Sequence, residues 1–314
     1  MLGATALDVR TAFAGRHVLS LDQYGRGELD LLFAVADEMV PLLRRGVPDR
    51  PLENRILMSA FFEPSTRTRL VHEAAALRLG GAVSGFADPA VTRANGSTGE
   101  SELDIARMLD IYADVVVVRH PRTGAPAEMA GELGNALLIN GGDGTGEHPT
   151  QAMVDLYTLR RRFGSLDGLR VLIVNDLRMR CVNSLLIGLR LYGCEVFGLA
   201  APGKTRAEPA ARTASVEPPT VLESDIRELL PKMDAVYSSP TVALADDGAD
   251  PPPSRIDHAL LRRHAADHLA VLHPLPRKAE LATDVDHTPY NAYWRQAEYG
   301  LAVRMALLKL MFAV

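Results

Sequence analysis

The segment 63-EPSTRTR-69 concentrates hydroxyl and guanidinium groups where a predicted strand gives way to a predicted helix. Ser65 is expected to cap that helix, whose first-turn N–H groups lack partners within the helix and carry the positive end of its dipole. Arg67 and Arg69 are two residues apart and cannot share a helix face, so at most one should face a common ligand. The cluster suits a phosphate group, with candidate ligands Ser65, Thr66, Arg67 and Thr68. For this segment taken alone, a capped helix with solvated arginines is the alternative.

Two further polar clusters follow predicted strands. Arg119 ends the apolar run 114-DVVVVRH-120, and the carboxyl end of a parallel strand is where α/β sheets bind ligands. The glycine-rich run 141-GGDGTGEHPTQ-151 leads into a helix and carries His148 and Gln151, which are three apart and therefore close on one helix face. This run lacks the Gly-Lys-Ser/Thr ending of a nucleotide-binding P-loop.

The fourth cluster, 272-LHPLPR-277, closes a strand with two prolines. Each proline restricts the residue before it, so we expect extended conformations that fix the direction of backbone carbonyls. A cis bond is expected at one of the two prolines. Four polar clusters at four strand ends favour convergence on one ligand site over four separate structural roles.

Short apolar runs alternate with helical periodicity along the chain, which is typical of an α/β protein with right-handed crossovers. Several runs are continuously apolar, as expected for strands buried on both faces of a parallel sheet. The predicted strands are 56–62, 82–86, 114–120, 136–140, 170–176, 195–200, 234–239 and 269–273. The predicted helices are 27–46, 67–80, 100–112, 150–164, 184–193, 223–232 and 291–314. The predicted loops are 201–220 and 240–257.

A chain of 314 residues suits two domains of roughly 150 residues each. The pattern predicts an α/β protein of two doubly wound parallel-sheet domains joined by interdomain helices. We assign 1–149 plus 290–314 to the first domain, because the long last helix can return to the first half of the chain. The second domain is 150–289.

Composition narrows the class of partner. A net charge of −5 and a pI near 6.0 argue against a nucleic acid or a membrane surface, but are compatible with a small basic pocket. Cys181 and Cys194 give neither a disulfide framework nor a metal-site spacing, which favours a reducing cytoplasm. The sequence also shows no signal-peptide pattern and no apolar run of membrane-spanning length. We therefore expect a cytoplasmic protein.

Together the four motifs resemble those of the aspartate/ornithine carbamoyltransferase family, over nearly the whole chain from Arg16 to Val314. The motif 273-HPLPR-277, which replaces the cysteine-bearing version of ornithine enzymes, and the run 280-ELATDVDHTP-289 both point to the aspartate branch. The resemblance implies a carbamoyl-phosphate domain, an amino-acid domain and a homotrimer whose subunits share active sites. It also implies that neither a metal nor an organic cofactor is needed.

The resemblance assigns roles to the motif residues. The implied ligands of the phosphate group are Ser65, Thr66, Arg67, Thr68 and Arg119. His148 would bind the carbamoyl carbonyl, while Gln151 and the Leu275 carbonyl would bind the NH2 group, with Pro276 shaping that loop. The expected catalytic groups are those that stabilise charge on the carbonyl oxygen and the leaving phosphate: Arg67, Arg119 and His148.

Other polar and aromatic residues near these motifs receive supporting or structural roles. Glu63 lies next to the phosphate cluster and is expected to orient Arg67 or to bridge to an arginine of the other half. His72 and His120 are expected to be structural. Trp294, in the last predicted helix, is expected to be a packing residue between the halves.

The first departure from the family is in a loop that the neighbouring subunit lends, which carries a serine and a lysine before Gly-Glu. Here it reads 92-TRANGSTGESE-102, so Thr98 stands at the lysine position and Ala94 at the serine position. Losing such a charge-assisted bond costs roughly 1.5–3 kcal/mol in the ground state. Arg93 is a candidate to compensate.

Two more departures affect acceptor binding. Aspartate enzymes carry Arg-x-Gln after the strand that matches 234–239, and here Pro240 stands at the arginine position and Val242 at the glutamine position. Arg255 is the nearest possible substitute. Arg180 occupies the family's other acceptor-binding position, but with one residue fewer and no glycine before it, so Arg178 is a rival.

Three hypotheses follow. The first is a carbamoyltransferase that uses carbamoyl phosphate and an amine or amino-acid acceptor other than aspartate. The second is a true aspartate carbamoyltransferase whose pocket has been rebuilt with Arg93, Arg180 and Arg255. The third is a catalytically weak paralogue that binds carbamoyl phosphate or a partner chain.

Overall fold

The computed structural model describes residues 12–45, 47–91, 99–201, 203, 205, 219–240 and 254–314. The chain divides into two compact units, Met1–Thr150 with Gly300–Val314 (unit 1) and Gln151–Tyr299 (unit 2). Two of the described helices, Pro149–Phe163 and Tyr293–Phe312, run across this division. The last helix therefore carries residues 300–314 back to the unit that contains the N-terminal part of the chain.

The described part of unit 1 contains a four-stranded, all-parallel sheet with the strand order β2-β1-β3-β4. Its strands are β1 (Ile56–Phe61), β2 (Ala82–Phe86), β3 (Val115–His120) and β4 (Leu137–Asp143). The central strand β3 begins with four buried valines, as expected for a strand covered on both faces.

Gly85 allows β2 to pair closely with β1. Its φ is 131°, and a Cβ atom there would lie 2.1 Å from the carbonyl oxygen of Ser59. A side chain at this position would therefore collide with the neighbouring strand.

Helices flank the sheet of unit 1. They are α1 (Arg26–Met39), α2 (Thr66–Arg78), α3 (Glu102–Tyr112) and α4 (Ala125–Ala130), with short 3-10 helices at Leu21–Gln23, Val40–Leu42 and Pro89–Val91. Capping explains one of the boundaries. Helix α3 begins after Ser101, whose hydroxyl accepts the Asp104 N–H at 3.1 Å.

The described part of unit 2 contains a five-stranded parallel sheet with the order β7-β6-β5-β8-β9. Its strands are β5 (Arg170–Asn175), β6 (Glu195–Ala200), β7 (Thr220–Val221), β8 (Ala235–Ser238) and β9 (Ala270–Leu272). Val174, Val236 and Val271 come from the three strands β5, β8 and β9 and lie in one buried apolar cluster.

The helices of unit 2 alternate with its strands. They are α5 (Pro149–Phe163), α6 (Arg180–Leu191), α7 (Ile226–Leu229), α8 (His258–His264) and the start of α9 (Tyr293–Phe312), with 3-10 helices at Leu230–Lys232 and Thr283–His287. In the parts of the chain that the structure describes, none of the helices has the length and apolar character needed to cross a bilayer.

The predicted class, α/β with two parallel-sheet domains, is confirmed, and all eight predicted strands are present. Among the strands and α-helices of the described residues, three short ones were missed: β7, α4 and α8. Strand β7 has two residues and α4 six, which is too short for a periodic pattern to appear. Helix α8 follows directly after the predicted loop 240–257, in a stretch that was left unassigned, and Asp257 caps it by accepting the Leu260 N–H at 2.8 Å.

Several predicted boundaries were wrong. Strand β4 continues to Asp143, so Gly141 and Gly142 belong to the strand, at an irregularity in its pairing with β3, and do not form a loop. Helix α6 begins at Arg180 and not at residue 184, which makes Arg180 the first helical residue. Helix α7 was predicted over 223–232, but Asp225 caps it at the start and a 3-10 turn containing Pro231 follows Leu229.

His72 lies on the buried face of α2, where its side chain is inaccessible to solvent. Its Nδ1 donates to the Thr68 carbonyl at 2.7 Å, whereas its Nε2 has no hydrogen-bond partner among the described residues. Burial, together with the positive charge of Arg304, lowers the pKa of His72 to about 3. The imidazole is therefore neutral in the folded protein at all but strongly acidic pH, in agreement with its expected structural role.

This buried histidine should make the protein less stable in mild acid. In the unfolded chain His72 takes up a proton below about pH 6.5, whereas in the folded protein it stays neutral down to about pH 3. The free energy of unfolding therefore falls as the pH falls between these two values. Between pH 7.5 and pH 5 the loss from this group is about 2 kcal/mol. We expect His72→Gln to show a correspondingly smaller loss in urea unfolding. His287→Gln, at an exposed position, should keep the wild-type loss, and equal losses in all three proteins would contradict the assignment.

Candidate functional site

Ser65 precedes the first residue of α2 in an extended conformation, with φ −158° and ψ 104°. It occupies the N-cap position, as predicted, but its hydroxyl accepts no capping hydrogen bond from the first turn of the helix. That part of the prediction is wrong, and the correction bears on function. Because Ser65 does not cap the first-turn N–H groups of α2, these groups can serve an anion together with the Ser65 hydroxyl.

The two arginines of the segment have different surroundings. The Nε of Arg69 donates to Glu73 at 2.7 Å, and the Ser59 hydroxyl donates to the same carboxylate oxygen at 2.9 Å. Arg67 is exposed and forms no hydrogen bond or ion pair with the residues that the structure describes, while partial desolvation lowers its pKa. Arg67 is therefore the arginine of this segment that can take an anion, in keeping with the expectation that one of the two would do so.

Arg119 lies near the carboxyl end of β3, and its side chain is only 13% exposed. Its Nη1 donates to the Gly141 carbonyl at 3.0 Å, and its Nε lies 3.4 Å from a carboxylate oxygen of Glu63. Glu63 was expected to orient Arg67 or to bridge to an arginine of the other half, and the partner that the structure describes is Arg119 of unit 1. The reason is the parallel register that places Phe61 opposite Arg119, so that Glu63 follows two residues later at the same edge.

His148 joins the glycine-rich run to the phosphate cluster. Its side chain is buried, and its Nε2 lies 3.3 Å from the Thr68 hydroxyl oxygen. Thr68 is itself buried in the first turn of α2. The structure therefore brings together two motifs that are 80 residues apart in the sequence, as a common site requires.

The acidic residues of the glycine-rich run accept hydrogen bonds from backbone N–H groups and from one hydroxyl group. Asp143 accepts the N–H groups of Glu147 at 2.8 Å and of Gly124 at 2.7 Å. Glu147 accepts the Ser20 hydroxyl at 2.5 Å and the Leu21 N–H at 3.1 Å, at the start of the 3-10 helix Leu21–Gln23. Their negative charges are thus satisfied by N–H and O–H donors within the fold.

Gly144 shows why this run is rich in glycine. Its φ is 39°, and a Cβ atom there would lie 2.7 Å from the carbonyl oxygen of Pro121. Glycine therefore allows the turn after β4 to pack directly against the turn after β3.

In unit 2, Gln151 stands on the first turn of α5, and its Nε2 donates to Asp155 at 2.7 Å. The Leu275–Pro276 bond is cis, which confirms the prediction of a cis bond at one of the two prolines. The prediction that Leu275 is extended was wrong, because its φ is 57°. Its N–H donates to the His273 ring two residues earlier at 2.8 Å, and this local bond holds the backbone in a turn.

Arg277, the last residue of the HPLPR motif, is held by Asp286. Both terminal nitrogens of Arg277 donate to that carboxylate, and Tyr293 and Trp294 donate to it at 2.5 and 3.1 Å. These donors hold the pKa of Asp286 well below its usual range. Trp294 was expected to be a packing residue, but it is 48% exposed and anchors Asp286.

The residues predicted to bind the acceptor differ in their burial and contacts. Arg178 makes two side-chain hydrogen bonds of 3.0 Å to Asp176, and Arg180 is the partly buried first residue of α6. Arg255 is exposed, and Pro240 is buried. Two further candidates, Arg93 and Thr98, lie outside the described residues.

One residue that contacts a candidate ligand was not found from the sequence. Asp155 contacts Gln151, and its position four residues later on the same helix is a signal that could have revealed it. His120 was considered structural, and it lies 3.0 Å from Glu102 at the start of α3. Within the described ranges, no group of three or more His, Cys, Asp or Glu side chains could hold a metal ion.

Comparison with known proteins gives consistent results. Residues 16–161 match the carbamoyl-P binding domain of aspartate/ornithine carbamoyltransferase, and residues 167–311 match the Asp/Orn binding domain. The chain is 40% identical to the aspartate carbamoyltransferase catalytic subunit of Hyperthermus butylicus, over 96% of this chain and 97% of the relative. It is 41% identical to that of Korarchaeum cryptofilum, over 94% and 97%.

Solved structures show the same similarity. Aspartate transcarbamoylase from Trypanosoma cruzi in complex with carbamoyl aspartate and phosphate matches with a TM-score of 0.84 and 34% identity, covering 96% of this chain and 97% of that one. The ligand-free form of the same enzyme matches with a TM-score of 0.82.

Arg67 gives a direct test of the anion site. Arg67→Gln should lower the affinity for inorganic phosphate by about tenfold or more, because a charge-assisted bond is lost. The free energy of unfolding should change by less than about 0.5 kcal/mol, because the side chain is exposed. The measurement is calorimetric titration with phosphate together with urea unfolding. Arg78→Gln, an exposed arginine in the last turn of the same helix, is the matched control and should bind phosphate as the wild type does. Equal weakening in both variants would remove Arg67 from the site.

Proposed function

The chain belongs to the aspartate/ornithine carbamoyltransferase family, and we propose that it moves the carbamoyl group of carbamoyl phosphate to the amino group of an acceptor other than aspartate. The observation that carries this proposal is an uneven departure from the family pattern. The motifs for carbamoyl phosphate are retained at Ser65–Arg69, Arg119 and His148, whereas Pro240 stands where aspartate enzymes have an arginine.

The proposed reaction needs no protein nucleophile. The nitrogen of the acceptor forms a bond to the carbamoyl carbon, the bond from that carbon to the phosphate oxygen breaks, and the amine gives up a proton. Negative charge grows on the carbonyl oxygen and on the departing phosphate. Donors that are already in place can stabilise this charge without reorganisation, and the proposed ones are His148, Arg119 and Arg67.

The proposed division of labour follows the two units. The side chains proposed for the phosphate and the carbonyl oxygen all belong to unit 1. The groups proposed for the NH2 group, Gln151 and the Leu275 carbonyl with Pro276, belong to unit 2. The catalytic contribution would come mainly from orientation of the two reactants and from charge stabilisation.

The acceptor side supports a substrate with a less acidic side chain. A carboxylate is best held by a two-pronged arginine contact, and a buried proline at position 240 offers no donor. We propose Arg180 and Arg255 as the remaining acceptor-binding arginines. In the proposed homotrimer, Arg93 and Thr98 would be supplied by the neighbouring subunit.

Aspartate is the second candidate acceptor. It is favoured by the relatives named aspartate carbamoyltransferase catalytic subunit at about 40% identity over nearly the full length. In that case the pocket would use Arg93, Arg180 and Arg255 in place of the missing lysine and arginine.

An acceptor panel separates these candidates. We expect purified protein to release phosphate from carbamoyl phosphate with an amine or amino acid other than aspartate, and to release little with aspartate. Rapid release with aspartate would support the second candidate and overturn the first. Binding of carbamoyl phosphate without turnover on any amine would identify a catalytically weak paralogue.

Restoring the family residues gives a second test. Thr98→Lys combined with Pro240→Arg should raise the rate with aspartate and lower the rate with the preferred acceptor, because both changes add cations suited to a carboxylate. Initial rates with the two acceptors are the measurement. Arg227→Lys, an exposed and charge-conserving change in unit 2, is the control. A rate with aspartate that stays at background in the double variant would count against the assignment of these two positions.

A further inference from the structure

A chain of hydrogen bonds in unit 2 links the two groups proposed to bind the NH2 group. Gln151 donates to a carboxylate oxygen of Asp155 at 2.7 Å, and Gln296 donates to the same oxygen at 2.6 Å. The Oε1 of Gln296 accepts the N–H of His273 at 3.0 Å, and the ring of His273 accepts the N–H of Leu275 at 2.8 Å. Gln151 and Leu275 are therefore joined through three side chains, each of which is at most 2% exposed.

The chemistry of Asp155 fixes the orientation of both glutamine amides. A carboxylate can only accept hydrogen bonds, so each glutamine must turn its NH2 group towards Asp155. For Gln151 this leaves the carbonyl oxygen as the free end of the amide. The carbonyl oxygen of Gln296 accepts the backbone N–H of His273. If the Gln296 amide were reversed, its NH2 group would face this N–H, and two donors cannot form a hydrogen bond with each other.

At the other end of this series of hydrogen bonds, the orientation of the His273 ring is fixed in the same way. Because the Leu275 N–H donates to Nδ1 of His273, the proton of the neutral ring is on Nε2, which donates to Glu280 at 2.9 Å. Glu280 also accepts the Lys278 N–H at 2.9 Å. The loop is thus held on both sides of Pro276, and Leu275 keeps a φ of 57° that a leucine adopts only when its surroundings impose it.

We propose that Asp155, Gln296 and His273 are positioning residues that aim two acceptor oxygens, Oε1 of Gln151 and the carbonyl of Leu275, at the NH2 group of carbamoyl phosphate. The inference rests on the proposed function and adds to it the device that selects a carbamoyl over an acyl group. None of the three side chains touches the substrate in this proposal. Each acts through Gln151 or Leu275.

The consequence is discrimination between carbamoyl phosphate and acetyl phosphate. The two compounds have similar shape, but acetyl phosphate carries a methyl group where carbamoyl phosphate carries an NH2 donor. Two fixed oxygens reject the methyl group, because both would lose their hydrogen bonds when it binds. If the Gln151 amide could reverse, it would present a donor to the NH2 group and the selection would weaken.

The test is the ratio of affinities for carbamoyl phosphate and acetyl phosphate, measured by calorimetric titration of the full chain. We expect the wild type to prefer carbamoyl phosphate by at least about 30-fold. Asp155→Asn should reduce this preference by about tenfold, because an asparagine can pair with either end of the Gln151 amide. Affinity for inorganic phosphate, which carries no NH2 group, should stay within about twofold of the wild type.

Two further variants protect the test against a simple loss of folding. Gln296→Met keeps a similar side-chain volume but removes the hydrogen bonds that connect Asp155 to His273 and Leu275. It should also reduce the preference for carbamoyl phosphate over acetyl phosphate. Thr158→Val is the matched control, because Thr158 is buried on the same helix as Asp155 and donates only to the Val154 carbonyl at 2.7 Å among the described contacts. It should keep the wild-type preference.

The outcomes separate this inference from the proposed function. Folded Asp155→Asn and Gln296→Met proteins that keep the full preference would overturn the positioning role while the proposed function stands. A wild type that binds inorganic phosphate but neither organic phosphate would defeat the proposed function itself. Loss of preference with unchanged phosphate affinity, in either variant, supports the inference.

Discussion

The parallel pairing of β1 with β3 is the constraint on which the phosphate cluster of unit 1 depends. Its register places Phe61 opposite Arg119. Because the two strands end at the same edge of the sheet, Glu63, the first turn of α2 and Arg119 all lie at that edge. Burying a guanidinium to 13% exposure is costly unless it is paired. Glu63 and the Gly141 carbonyl supply that pairing, which keeps Arg119 oriented.

The acidic side chains near the same edge are paired with nearby cations and hydrogen-bond donors. Glu73 engages Arg69, while the carboxylates of Asp143 and Glu147 are turned towards hydroxyl and backbone donors. The negative charges of these side chains are thus paired within the fold, whereas Arg67 forms no ion pair with the residues that the structure describes. A chain with a net charge of −5 can therefore still present a basic anion site, because local arrangement and not total charge sets the potential there.

The sequence predicted what depends on local pattern and missed what depends on long-range contacts. The valines of β3 form a continuous apolar run, and the strand was found. The two residues of β7 carry no such signal, since their pairing with β6 decides their structure. Asp155 could have been noticed from its spacing to Gln151, but its contact with Gln296, 141 residues away, cannot be read from spacing. The positive φ of Leu275 is a different case, because it accompanies a contact with a ring only two residues earlier, which no propensity scale contains.

The contacts at the end of strand β8 are compatible with the proposed change of acceptor. Ser238 and Ser239 are buried and tie the end of β8 to β5: the Ser238 hydroxyl lies 3.4 Å from the Asn175 amide, and Ser239 donates to the Asp176 carbonyl at 2.8 Å. These contacts end one residue before Pro240, so a change at position 240 leaves them in place. Changing Asp155 or Glu63 would instead leave buried partners unsatisfied, which costs about 1–3 kcal/mol per group. Under the proposed function, acceptor specificity can therefore diverge at a lower cost in stability than the binding of carbamoyl phosphate.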